Sequence, residues 1–352
     1  MKVTLLIPSK YSLSKTFELI FKKSGFEVSK VNFRNATKSY ESKINTQIYR
    51  LPYGYRQKWN NYYFKKINKW YIDQFQKEKP DLVFIYNNEM LLPETLQWLK
   101  GKKTKIAFFL GDNPLYTHTS PYNLTVLDYA DAIFVPDTFW LFQLQKMGLK
   151  NVHHLLFPLP VDDYHPVNLA EIDTVFKALH QSDVFYAGMC YNDSWGYKKA
   201  KFLSHFKNFD LKIYGNKAWK RWFPFFPELE KHFSESTSFI PTEDLNKMYN
   251  LTKLMPVDGN PGIFNGIHLR VIEAISAGTL PIIEYNKDMD LIFDGLDDLP
   301  VVKDYRGIPE IAGWYLINDK ARIAKVLEMK KVFENKFNES KISDFILTKL
   351  GH

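Results

Sequence analysis

Short runs of β-branched and aromatic residues alternate along the chain with longer stretches whose apolar positions recur every three to four residues. The short runs predict strands at residues 3–8, 27–33, 81–86, 105–110, 132–135 and 152–155, with amphipathic helices between them. Regular alternation of strand and helix implies parallel strands joined by right-handed crossovers, which gathers ligand-facing loops at the carboxyl ends of the strands. The alternation breaks at residues 157–166, where Pro158, Pro160 and Pro166 bias the residues before them away from helix. It restarts at 183–188 and continues through 211–216, 253–257 and 279–284. After Tyr315 the pattern is helical to the end. An α/β protein of two lobes follows, with a first domain at 1–165, a linker at 166–182, a second domain at 183–320, and helices over 321–352 expected to pack back on the first domain.

The length of 352 residues agrees with two cores rather than one. The opening run is short, is followed by Lys10, lacks a signal-peptide pattern, and reads as a first strand. No stretch approaches the roughly 20 apolar residues a membrane helix needs. The expected location is therefore the cytoplasm, with peripheral contact at the inner face of the membrane. A single cysteine, Cys190, forms no internal disulfide and fits a reducing compartment. His153 and His154 are adjacent and would point apart on a strand, so no metal is assigned. The net charge of +8 is uneven: residues 1–165 hold 23 Lys and Arg against 14 Asp and Glu, and the remainder is close to balanced. The first half thus faces an anionic partner, which charge alone leaves open among a membrane surface, a phosphorylated lipid and nucleic acid.

The most informative passage is residues 260–284. Gly259, Gly262 and Gly266 lead into a helix over 267–277 that stops at Gly278 before a buried strand. A helix start presents unpaired backbone N–H groups and a positive dipole end, which suits a diphosphate. Arg270 adds charge to the same place, and Glu273 lies one turn on, suited to accept hydrogen bonds from sugar hydroxyls. Spacing alone fits equally a glycine-flanked helix whose Arg270 and Glu273 pair at the surface.

The run Arg-Val-Ile-Glu-Ala-Ile-Ser-Ala-Gly-Thr-Leu-Pro-Ile-Ile-Glu-Tyr at 270–285 resembles the glycosyltransferase group 1 enzymes, particularly the CgeB-like branch. Residues 184–188 and 211–216 resemble the first two strands of that family's C-terminal domain, and 109–114 with 128–137 resemble an Asp-containing loop and the strand after it. The resemblance implies a GT-B fold: two facing Rossmann-like domains with an interdomain cleft, a nucleotide-sugar donor held by the second, and no required metal or cofactor. It further implies that Glu273 holds the donor ribose, that Arg270 and the backbone around Gly266 meet the diphosphate, and that Asn216 and Lys217 lie near the nucleotide. Gly188, Asn265 and His268 complete the expected donor site. The usual Glu-x7-Glu pair is broken, because Asn265 stands eight positions before Glu273. Donor identity and stereochemical outcome therefore stay open.

Transfer needs an acceptor hydroxyl held beside the anomeric carbon and, in many enzymes, a base. Asp112 follows an apolar strand and is expected to orient or deprotonate the acceptor, unless it caps a helix through Asn113 and Pro114. His118 is expected to contact donor or acceptor sugar, and Asp137 is a second carboxylate that also suits an N-cap. Residues 49–71 hold six basic and nine aromatic residues and no acid. They suit saccharide stacking, a membrane interface or single-stranded nucleic acid, or else form a core helix with solvated lysines. Trp219, Trp222, Phe223, Phe225 and Phe226 either pack a long loop or stack on a nucleotide base. The function read is transfer of a sugar from a nucleotide sugar to a saccharide, lipid-linked or protein acceptor; a non-catalytic bilobed relative is the alternative. An epimerase lacks a second acid/base pair, and nucleic-acid binding rests on charge alone.

Overall fold

The computed structural model describes residues 1–8, 12–88, 90–116, 122–236 and 240–351. Two compact units divide the chain: residues 1–158 with 338–352, and residues 159–337.

The first unit holds strands β1 (Lys2–Leu6), β2 (Glu27–Lys30), β3 (Leu82–Tyr86), β4 (Lys105–Phe109), β5 (Ala132–Val135) and β6 (Val152–His154) in the order β2-β1-β3-β4-β5-β6. All pairs are parallel, with Val3 opposite both Val28 and Leu82, and Leu82 opposite Lys105. Every residue of β3 is buried, as a central parallel strand covered on both faces requires. One face is sealed by Phe17 on the helix Ser12–Lys23, whose ring lies 4.7 Å from Phe84 and 5.2 Å from Phe109. The order reverses between β1 and β3, so the crevice of this sheet opens at their carboxyl ends.

The second unit holds β7 (Ser182–Ala187), β8 (Leu211–Gly215), β9 (Phe233–Glu235), β10 (Thr252–Val257), β11 (Leu280–Glu284) and β12 (Val301–Val302) in the order β12-β11-β10-β7-β8-β9. All pairs are again parallel. The sequence pattern places ten of the twelve strands; it misses β9 and β12, the two edges of the second sheet. This sheet has the Rossmann order, with its switch point between β7 and β10.

The linker expected at 166–182 is instead part of the second unit. Its backbone is tied to the helix Thr242–Asn250, Val167 N–H donating to Asn250 Oδ1 at 2.8 Å, and it forms a helix of its own, Thr174–His180, capped by Asp173. The tail divides. The helix Asp319–Lys336 packs on β11 and on the helix Leu269–Ala277, whereas the helix Glu339–Leu350 packs on the helix Ser12–Lys23, with Ser24 Oγ donating to Ser343 Oγ at 2.7 Å and Phe345 6.1 Å from Phe134. Among the described residues, no helix is long and apolar enough to cross a membrane.

Candidate functional site

The densest chemistry lies at the carboxyl ends of β7 and β10, the switch point of the second sheet. Tyr186, near the end of β7, is fully buried. Its hydroxyl donates to Asp258 Oδ1 at 2.8 Å and accepts from Lys199 Nζ at 2.6 Å and from Arg270 Nη1 at 3.1 Å. Lys199 also pairs with Asp258 Oδ2 at 2.9 Å, and Arg270 Nη1 lies 3.7 Å from Asp258 Oδ1. Lys199 and Asp258 are only 5% and 3% exposed, so this is a dry ion network.

Burial alone would push Asp258 up, but the Lys199 and Arg270 cations outweigh it and hold the carboxyl below its ordinary range. Burial pushes the Tyr186 phenol up and keeps it neutral. Two cations against one anion leave one net positive charge at the mouth of the crevice. The Arg270 side chain, 17% exposed, brings that charge to the surface.

The local sequence explains how Arg270 reaches this point. The helix Leu269–Ala277 starts at His268, whose Nδ1 accepts from Arg270 N–H at 3.1 Å, and it ends at Gly278 in the left-handed region with φ 94°. Burial first, then Arg270, pushes His268 down to about 3. The imidazole is therefore neutral, and an accepting Nδ1 puts its proton on Nε2. Gly188 clears the path: a Cβ there would lie 2.5 Å from Arg270 Nη2 and 2.9 Å from the Tyr186 hydroxyl.

The loop after β7 is clamped from the β8 side. Asn216 accepts from Cys190 N–H at 2.8 Å and donates to Cys190 O at 3.3 Å, Trp219 Nε1 donates to Gly188 O at 2.9 Å, and Trp222 Nε1 donates to Tyr191 O at 2.8 Å. Trp219, Trp222, Phe223 and Phe226 are buried and pack the loop, whereas Phe225 is 64% exposed. Asn216, expected at the nucleotide, spends its amide on shaping this loop; Lys217 beside it is exposed. A second clamp fixes the loop after β10. Glu284 accepts from Gly259 N–H at 2.8 Å, from Lys198 Nζ at 2.5 Å and from Tyr305 at 2.9 Å.

Glu273 faces a different wall. Tyr249 donates to it at 3.3 Å, and burial pushes its carboxyl up against the pull of Arg270. No ion pair joins Arg270 to Glu273 among the described residues, so the surface-pair reading of this helix does not hold. Asn265 and Gly266 are tied to the next turn through Asp288 N–H at 2.9 Å and Asn286 Nδ2 at 2.7 Å, their carbonyls accepting.

In the first unit, Asp112 is exposed at the carboxyl end of β4, and its Oδ2 accepts from Asn87 Nδ2 at 2.8 Å. Asn87 follows β3 with φ 55° and also accepts from Gly111 N–H at 2.9 Å. No helix starts directly after Asp112 among the described residues for it to cap; its neighbour Asn113 closes a turn, Oδ1 accepting from Leu115 N–H at 2.9 Å. Asp137 is an N-cap, accepting from Phe139 N–H at 2.8 Å. His118 lies outside the described residues. Sequence reasoning missed Tyr186, Lys199, Asp258 and Glu284. The available signal was a charged residue at the end of each of two apolar strands, and a lysine on the buried face of a helix.

Residues 198–343 match the model of a glycosyl transferase-like family. Three solved structures share the whole fold: sucrose-phosphate synthase from Thermosynechococcus elongatus (TM-score 0.67, 11% identity, covering 99% of this chain and 98% of that one), the Anabaena protein HepE in complex with UDP and glucose (0.65, 12%, 100% and 99%), and an α,α-trehalose-phosphate synthase from Burkholderia xenovorans in complex with glucose-6-phosphate (0.64, 12%, 100% and 100%). The fold is that of the GT-B proteins, and most of the second unit lies within the stretch that matches the glycosyl transferase-like model. Within that class the chain is similar to the spore protein CgeB of Bacillus subtilis (strain 168), at 25% identity over 185 residues, a match covering 51% of this chain and about half of that relative.

Proposed function

We propose that this chain is a glycosyltransferase that holds a nucleotide sugar at the switch point of its second sheet. The buried Tyr186, Lys199, Asp258 and Arg270 network carries the reading. It delivers one net positive charge beside a helix N-terminus, across a loop that glycine keeps open. Diphosphate oxygens meet Arg270 and the first N–H groups of the helix Leu269–Ala277, and Glu273 holds the ribose. In transfer, the acceptor oxygen bonds to the anomeric carbon as that carbon's bond to the diphosphate breaks. The nucleoside diphosphate departs with the electron pair, its charge met by these fixed cations in place of a metal ion. Asp112 orients the acceptor hydroxyl or takes its proton, and His118 contacts sugar.

One solved structure of the same fold holds UDP-glucose and another holds glucose-6-phosphate, so UDP-glucose is the donor to test first and a saccharide the acceptor. The protein is read as cytoplasmic, with residues 49–71 meeting a membrane surface; four tyrosines and a leucine exposed in a stretch without acid support that reading.

Calorimetric titration with UDP-glucose in EDTA tests the proposal. Binding is expected for the natural chain and is expected to weaken at least about tenfold in Arg270→Met, which keeps the Lys199–Asp258 pair. Failure of a full nucleotide-sugar panel to bind, or equal affinity in the variant, overturns it.

A further inference from the structure

The basic, aromatic stretch at 49–71 is two different surfaces. From Tyr63 onward the helix Tyr53–Glu78 is core: Tyr63, Phe64, Ile67, Tyr71 and Phe75 are at most 2% exposed. Before it, nearly every residue from 49 to 58 is exposed, including Tyr49 at 61%, Leu51 at 47%, Tyr53 at 65% and Tyr55 at 67%. An apolar side chain and three phenols standing in water over one turn and its lead-in need an explanation beyond packing.

The charges around this tip are of one sign. From residue 42 to 72 the chain has seven Lys and Arg and no acid. The preceding acid, Glu41, is buried and consumed within the fold, accepting from Lys66 Nζ at 2.7 Å, Tyr62 at 3.1 Å and Lys38 N–H at 2.8 Å. The tip is held firmly rather than trailing, because Trp59 stacks on Tyr63 at 5.7 Å and its Nε1 donates to Asn45 at 3.2 Å.

Building on the membrane contact proposed with the transferase reading, we infer that the tip at residues 49–58 docks on an anionic lipid surface. Leu51 and the tyrosines enter the headgroup layer, while Arg50, Arg56 and Lys58 face acidic headgroups. Ring geometry favours lipid over single-stranded nucleic acid. The guanidinium of Arg50 lies 5.6 Å from the Tyr49 centroid and that of Arg56 5.5 Å from Tyr53, covering a face of each ring that base stacking would use. Phenols with a cation on one face still offer their edges and hydroxyls to the interface.

Co-sedimentation of the full chain with phosphatidylcholine vesicles, with and without 30% phosphatidylglycerol (about 0.15 M salt), tests this. Binding is expected only with the anionic lipid. Arg50→Glu/Arg56→Glu/Lys58→Glu is expected to weaken it about a hundredfold or more, at roughly fivefold for each basic side chain removed. Tyr53→Ser/Tyr55→Ser is expected to weaken it about tenfold. Lys103→Glu/Lys146→Glu/Lys150→Glu makes the same change in net charge at other exposed positions and is expected to change little. Equal loss in both triple variants, no binding to anionic vesicles, or preferential retention of poly(U) overturns the inference. UDP-glucose titration of the same variants separates the two proposals: unchanged donor affinity with lost lipid binding leaves the transferase reading intact, and the reverse result leaves the lipid surface intact.

Discussion

The two sheets end their carboxyl edges in opposite ways. In the second unit, charge is buried: Lys199 and Asp258 are almost fully enclosed, and three charged side chains share the Tyr186 hydroxyl. In the first unit, charge is displayed: Asp112 stands in solvent, steadied by one amide from Asn87. A buried network fixes positions at the expense of desolvation and is costly to break, whereas an exposed carboxylate can be exchanged without harm to the fold. The first suits a charge that must be met in the same place at every turnover, and the second suits a group that meets a proton.

Breaking the buried side gives the largest effect. Lys199→Met removes the principal partner of Asp258 and is expected to cost about 3–5 kcal/mol in urea unfolding, toward the lower end because Arg270 and Tyr186 remain. Asp112→Asn is expected to leave the melting curve unchanged while turnover falls about a hundredfold. Unchanged turnover would remove its catalytic role and make the two edges alike in being structural. Gly188→Ala is expected to destabilise by about 1–3 kcal/mol and to lower donor affinity, since the new Cβ meets Arg270 Nη2. Titration calorimetry and thermal melting together check both parts.

The smallest effect lies in pH. His268 is held down to about 3 in the folded chain, below its unfolded value near 6.5. Its contribution is therefore complete above about pH 6.5 and is lost as pH falls toward 3, because the unfolded chain binds the proton first. His268→Asn, which preserves an N-cap, is expected to flatten the acid side of the stability curve by at most about 1.4 kcal/mol per pH unit. An unchanged slope between pH 6.5 and 5 would show that the ring is not shielded.

The fold was legible wherever apolar runs were long enough to be buried on both faces. Strands β9 and β12 escaped because they are edges of three and two residues with little burial to impose a pattern. The helix carrying Arg270 was legible from its glycines and its stop at Gly278. Its partners were not, since Tyr186, Lys199 and Asp258 come together from positions 13 to 72 residues apart on separate elements, and no local periodicity encodes that meeting. Asn216 carries a role its sequence did not announce: a polar residue after a strand, read as lying near the nucleotide, clamps the backbone of Cys190. Residues 49–71 read as one basic, aromatic segment because composition is blind to the point where a helix enters the core.

The helix Glu339–Leu350 gives the chain an unusual connectivity. The polypeptide leaves the first unit after Pro158, builds the whole second unit, and returns at Asn338 to finish what it began. In topological terms the second unit is an insertion, one continuous stretch complete in itself, while the first is a split domain. During synthesis, residues 159–337 have everything they need once they have emerged. The pocket around Phe134 and Ser24 must instead wait for Phe345 and Ser343. The second unit is thus the natural candidate for expression alone, and a truncation of residues 338–352 is a lesion of the first unit.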